Sequence, residues 1–185
     1  MKLVLAFLLV LAGLAVSATP DGLASSAPQG EATLKVAVEG RGNFTIRLYG
    51  KEAPKACAQI MKLARQGFYN GQRFFRVTRT PRPYIAQAGD PASKNGVDGP
   101  GMGSGNTGTR IPFEDSGHTN EKYAVGLATL LSNDRDSGDC QFYIVLGDGN
   151  KFLDGSYTVF GKVVSGTDVV DRLEKGDKIT SVTVG

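Results

Sequence analysis

The chain contains no tryptophan, a single histidine (His118) and only two cysteines, Cys57 and Cys140. That scarcity excludes zinc sites built from paired Cys and His ligands, and it excludes a CxxC redox centre. No GxSxG elbow occurs, so a serine hydrolase of that type is excluded too. Charge of neither sign dominates: 21 Lys and Arg stand against 18 Asp and Glu, a net charge of +3. The basic residues are spread along the chain rather than clustered, which excludes a nucleic-acid footprint. Apolar runs are short as well. The longest, Leu3 to Val16, falls below the ~20 residues that cross a bilayer.

That run follows Met1 and Lys2 and ends in Val16-Ser17-Ala18, the small-residue pattern after which signal peptidases cut. The expected organisation is an export signal over 1–18, a flexible linker over 19–31 (TPDGLASSAPQGE) and one folded domain over 32–185. The mature protein is then exported, to a periplasm, the extracellular space or a eukaryotic secretory lumen, and carries no membrane anchor. In such a compartment Cys57 and Cys140 could pair, but nothing in the sequence brings the two sulfurs together, and two small buried thiols are the expected reading, with the disulfide as the alternative. Asn43-Phe44-Thr45 is a glycosylation sequon, meaningful only for export through an endoplasmic reticulum.

Glycine, by contrast, is abundant at 25 residues and has no collagen period, which points to many tight turns. Ala32 to Glu39 alternates apolar and polar, GRGN follows, and FTIRLY alternates again, a β-hairpin pattern. Pro54 suits a first helical turn, and Ala56, Ile60, Met61, Leu63 and Ala64 recur at helical spacing up to Gly67. Short β-like runs then succeed one another: RFFRV, YIAQ, AVGLA, QFYIVL and YTVFGKVV. A helix-like GTDVVDRL precedes a last strand, ITSVTV. The expected fold is mostly β, a closed eight-stranded antiparallel barrel capped by two helices, since closure removes exposed sheet edges.

Three motifs are weaker than they look. GSGNTG, Gly103 to Gly108, matches the dinucleotide fingerprint, but no strand precedes it and no helix follows, so it reads as a surface loop. Glu114 and Asp115 are adjacent and point to opposite faces of an extended chain, which suits a turn better than a glycosidase pair. His118 reads as a solvated loop residue.

The informative stretches are FFRVTRTPRPYIAQAGDP, Phe74 to Pro91, and QFYIVLGDGNKFLDGSYTVFGKVV, Gln141 to Val164, with AVGLATLLSN between them. Together they resemble, in order, the signature blocks of the cyclophilins, the barrel-fold peptidyl-prolyl cis/trans isomerases. The resemblance runs from about Leu34 to the C-terminus. It implies that Arg76 is the catalytic arginine and Gln87 the glutamine beside it. It also implies that Tyr84, Ile85, Tyr143 and Leu153 wall a proline pocket, with Gln141 and Phe152 at the rim. Leu131 and Ser132 fall where the family's backbone holds substrate, and Tyr157 falls where many members carry histidine. The substrates implied are proline-containing polypeptides, the chain acts as a monomer, and neither cofactor nor metal is needed. A non-catalytic proline-peptide-binding or chaperone-like module on the same fold is the alternative.

The chain departs from the family pattern at several positions. Three extra residues lie between Arg76 and Tyr84, in TRTPRP. Tyr143 stands where phenylalanine is usual, and its hydroxyl is expected to tilt to the pocket rim. Phe75 replaces a histidine, AQAGD replaces GQGGD, and Phe152 replaces the tryptophan that in many relatives binds cyclosporin, so cyclosporin should bind weakly. QGFYNGQRFFRV resembles bacterial members, which favours a bacterial envelope.

Overall fold

The computed structural model describes residues 32–131 and 133–185; the expected export signal and linker, and Ser132, lie outside the described residues. Eight strands and two α-helices follow in the order β1 (Thr33–Val38), β2 (Gly42–Leu48), α1 (Pro54–Arg65), β3 (Arg76–Val77), β4 (Ile85–Ala88), β5 (Ala124–Leu131), β6 (Asp134–Val145), β7 (Val159–Ser165), α2 (Thr167–Asp171) and β8 (Ile179–Val184). All eight strands belong to one antiparallel sheet ordered β3-β4-β6-β5-β7-β2-β1-β8.

The sheet curls until its two edges meet, but it does not close as a continuous ladder, which corrects the expected closed barrel. Edge strands β3 and β8 are joined by one isolated bridge, Arg73 with Lys178, and by a few backbone bonds around it. These run from Gly71 N–H to Ile179 O (2.8 Å), from Ile179 N–H to Gln72 O (2.7 Å) and from Phe74 N–H to Asp177 O (2.9 Å). Phe74 also accepts from Gly176 N–H. Its backbone is thus committed to a turn across the seam, and the expected strand RFFRV shrinks to Arg76–Val77.

Alternation along β1 and β2 does what a half-buried hairpin requires: Leu34, Val36, Val38, Phe44, Ile46 and Leu48 are all buried. Helix α1 packs on β6 and β8 and buries Ile60, Met61, Leu63 and Ala64. Ala53 precedes it and has no side-chain oxygen with which to cap it. A distant carboxylate does so instead: Glu114 accepts from the backbone N–H of Lys55 (3.0 Å) and Ala56 (2.9 Å). The FEDSGH segment therefore serves as a helix cap.

The two chain ends described here lie side by side, Thr33 and Gly185 exchanging backbone bonds of 3.1 and 2.9 Å. No helix among the described residues is long and apolar enough to cross a membrane.

Cys57 and Cys140 are free and buried, two separate thiols rather than a disulfide. Cys57 Sγ lies 3.4 Å from Phe160 O, and Cys140 Sγ lies 3.8 Å from Gly105 O. Burial pushes both thiols up to about 12 from an ordinary value of 9.0. A raised folded-state value favours the native state fully below pH 9 and loses that contribution as pH climbs towards 12. Two outcomes are expected. Native protein at pH 7.5 should resist thiol alkylation that goes to completion in urea, and the urea midpoint should fall between pH 9 and 11. Rapid labelling of the native state would contradict this account of the two thiols.

Candidate active site

Strand register builds the site. Arg76 pairs with Gln87 across β3 and β4, Gln87 with Tyr143 across β4 and β6, and Tyr143 with Gly126 across β6 and β5. These four residues form one cross-strand row on a single face of the sheet. One position away, Ala86, Phe142 and Ile144 point to the main core. Ile85, Ala128, Tyr143, Val145, Leu153 and Val159 form a second apolar cluster on the opposite face. That second cluster floors an open cleft of about 400 Å³, within the usual range for a ligand site.

Several of the residues singled out by sequence line this cleft: Arg76, Gln87, Tyr84, Ile85, Tyr143, Leu153 and Tyr157. Phe152 stands at its edge, 60% exposed, its ring stacked on Tyr84 at 5.7 Å. Two positions differ from expectation. Gln141 is buried at 2% exposure rather than at the rim, and Leu131 is 56% exposed and lies outside the lining. Register shifts in the β5–β6 pairing at Thr129 and Leu131 carry Leu131 to the sheet tip and leave Ala128, Thr129 and Leu130 facing the cleft.

The pocket floor carries a polar network that the sequence did not reveal. Tyr143 is 3% exposed, and its hydroxyl donates to Asn120 Oδ1 at 2.7 Å. Asn120 is held in turn by Asp154, whose Oδ1 accepts from the Asn120 backbone N–H (2.7 Å) and amide Nδ2 (2.8 Å). The hydroxyl therefore points into the protein and finds a partner there, which corrects the expected tilt to the rim. Burial pushes the Tyr143 hydroxyl well above the ordinary tyrosine range. Gly126 makes the arrangement possible, because a Cβ there would run into the Tyr143 ring.

The glycine-rich loop supplies the facing wall, through Gly101, Met102, Gly103 and Ser104. It is tied down by buried polar groups. Asp90, fully buried, accepts from the N–H of Gly103 (2.6 Å), Gly105 (3.1 Å) and Ala92 (2.8 Å). Gln141 Nε2 donates to the carbonyls of Gly103 (2.9 Å) and Gly105 (2.8 Å), and its Oε1 accepts from Gln87 Nε2 at 3.0 Å. Gln87 is thereby oriented from behind.

Arg76 is exposed, and its guanidinium carbon lies 5.5 Å from the Tyr84 ring centroid. Burial raises the Tyr84 hydroxyl's proton affinity, opposed by the charge of Arg76. The inserted TRTPRP hairpin is also anchored: Thr78 N–H donates to Ile85 O, Tyr84 N–H donates to Thr78 O, and Arg79 Nη2 donates to the carbonyls of Val170 (3.1 Å) and Leu173 (3.0 Å). Among the described residues, no three His, Cys, Asp or Glu side chains gather as a metal site.

The geometry is thus an apolar pocket beside an exposed guanidinium, on a curled eight-stranded sheet. The family model for cyclophilin type peptidyl-prolyl cis-trans isomerases matches residues 33–184. A peptidyl-prolyl cis-trans isomerase of Helicobacter pylori is 37% identical over 153 residues, 82% of this chain and 84% of that one. A probable peptidyl-prolyl cis-trans isomerase of Brucella suis is 40% identical over 141 residues, 74% of this chain and 69% of that one. The crystal structure of a Cryptosporidium parvum cyclophilin type peptidyl-prolyl cis-trans isomerase superposes with a TM-score of 0.70 at 20% identity, covering 83% of this chain and 96% of that one. The same parasite protein crystallised in the presence of the dipeptide Ala-Pro superposes with a TM-score of 0.68 at 21% identity, covering 83% and 98%. The chain belongs to the cyclophilin-type peptidyl-prolyl cis-trans isomerase family, and it is a prolyl isomerase.

The Tyr143–Asn120 bond has a measurable consequence. Removing the hydroxyl leaves Asn120 Oδ1 buried without its donor, so Tyr143→Phe should lower unfolding free energy by about 1–3 kcal/mol in urea titration. Unchanged stability together with a sharp gain in activity would show instead that the hydroxyl obstructs the pocket.

Proposed function

We propose that Arg76 is the group that accelerates rotation about X-Pro bonds, with Gln87 beside it and the Tyr84, Ile85, Tyr143, Leu153 and Tyr157 pocket holding the pyrrolidine ring. Amide resonance sets a barrier of ~18–20 kcal/mol, so uncatalysed exchange takes tens to hundreds of seconds. At the twisted geometry conjugation is lost and the proline nitrogen regains a lone pair. A positioned N–H donor then binds the twisted form more strongly than either planar form, which is the requirement for catalysis. The apolar floor fixes the ring while the preceding residue turns. No bond to the enzyme forms, and no proton needs to move.

The observation that carries this reading is the cross-strand row, which sets the Arg76 guanidinium at the lip of the apolar floor with no carboxylate among the cleft-lining residues to neutralise it. The substrates are proline-containing polypeptides. The parasite cyclophilin crystallised in the presence of Ala-Pro supports that class. Residues 1–18 are removed on export, a reading supported by the apolar run and the small residues before Thr19, and the mature chain acts as a monomer.

A charge-assisted hydrogen bond contributes about 1.5–3 kcal/mol, so Arg76→Ala should slow cis/trans exchange of a proline tetrapeptide roughly 10- to 150-fold. NMR exchange spectroscopy at sub-stoichiometric protein measures this; an unchanged rate would remove Arg76 from the mechanism. The same assay separates an enzyme from a binding module, which shifts populations only in proportion to the amount added. N-terminal analysis of protein recovered from the envelope or medium should begin at Thr19, and an intact Met1 would overturn the export reading.

A further inference from the structure

The cleft continues past its apolar floor. A second depression of about 250 Å³ shares Thr129 and Tyr157 with it and is completed by Asn133, Arg135, Gly155 and Ser156. At the opposite edge the inserted hairpin brings Arg82 over the exposed ring of Phe152, with 5.6 Å from guanidinium carbon to ring centroid. Arg76, Tyr84, Phe152 and Arg82 thus form a ladder of cation, ring, ring and cation along one rim. At the far end Arg135 lies over Phe113 at 4.5 Å and donates one hydrogen bond, to Gly155 O at 3.3 Å.

Stacking on a ring occupies the flat face of a guanidinium and leaves its edge N–H groups free for a carboxylate. The described residues contain eight ion pairs, and none of them involves Arg76, Arg82 or Arg135. The nearby acids are engaged elsewhere: Asp134 with Arg110, Asp136 with Phe113 N–H and Asp154 with Asn120. Asp148, exposed and next in sequence to Gly149, which lies against Arg82, makes no ion pair with it. No acidic side chain lines either depression. A peptide laid through this groove therefore meets cations at the lip and at both ends, with no lining anion.

We infer that the enzyme selects proline segments carrying acidic residues close to the proline, and that Arg82, on the hairpin that holds the three extra residues, and Arg135, in the adjoining depression, are its specificity-determining residues. This rests on the isomerase reading of the same cleft. Arg82 is held by its hairpin, which Arg79 pins to the carbonyls of Val170 and Leu173, so the cation is presented without ordering a free loop when substrate arrives.

The test compares end-blocked peptides that differ only in carrying Glu, Ala or Lys, either before or after the proline. Exchange rates are read by NMR in 20 mM and 300 mM salt. Exposed charge pairs are worth small factors each, so wild-type kcat/KM is expected to favour Glu over Lys by roughly 3- to 10-fold at low salt, with the ratio shrinking at high salt. Arg82→Ala and Arg135→Ala should each lower the ratio for Glu on one side of the proline, which assigns each arginine to a direction along the peptide. Arg82→Lys, which keeps the charge, should retain most of the preference. Equal rates for Glu and Lys peptides in an active enzyme would overturn the inference while leaving the isomerase reading intact, as would a preference that survives both alanine substitutions. Failure to accelerate any of the peptides would remove the isomerase reading itself.

Discussion

The active face depends on strand register. Arg76, Gln87, Tyr143 and Gly126 meet only because four strands align at these positions, and a one-residue slip in any pairing would send its side chains to the opposite face. The slip is resisted from the other side of the sheet. Ala86, Phe142 and Ile144 fill the main core, so exchanging the two faces would bury Gln87 and expose those three. Hydrophobic burial thereby fixes the position of a cationic donor that contributes nothing to the core itself. Gly126 completes the constraint, since its missing side chain is the space that the Tyr143 ring occupies.

The walls that stand on this floor are made rigid by buried polar groups more than by packing. Asp90 gathers three backbone N–H groups, and Asp139 receives Thr107 N–H at 2.6 Å, so two buried carboxylates without a cationic partner pin successive parts of the glycine-rich loop. Gln141 binds the same loop through its carbonyls. Each of these groups would be costly to bury alone, and together they satisfy one another. A loop with many glycines would otherwise be mobile; here its open side faces the cleft and its backbone is spent on the barrel. The Asp154–Asn120–Tyr143 chain treats the floor in the same way.

Much of this was legible in the sequence, and the reasons for the rest are physical. ITSVTV and the helix starting at Pro54 lie where period and proline place them, because each buries a single face. The signature stretches brought Arg76, Gln87, Tyr84, Ile85, Tyr143 and Leu153 to one cleft. Leu131 was misplaced because the bulges that curve β5 leave no trace in composition. Asn120 and Asp154 escaped notice because polar residues in loops look alike until a buried partner is known, and the partner, the Tyr143 hydroxyl, was expected to face outward. The barrel's seam was hidden for a related reason: RFFRV has the residues of a long strand, but Phe74 uses its backbone on Gly176 and Asp177. Ser132 and residues 1–31 lie outside the described residues.

The pairing of Thr33 with Gly185 also bears on how the domain can be rewired. First and last strands are neighbours in the sheet, so a short peptide link between them would span little distance and disturb no ladder. New ends could then be opened at an exposed turn such as Glu39–Gly40, leaving the order of strands in space untouched. The architecture is topologically a ring that happens to be cut at one place, and a host protein could carry it as an insertion in a surface loop with both junctions emerging together.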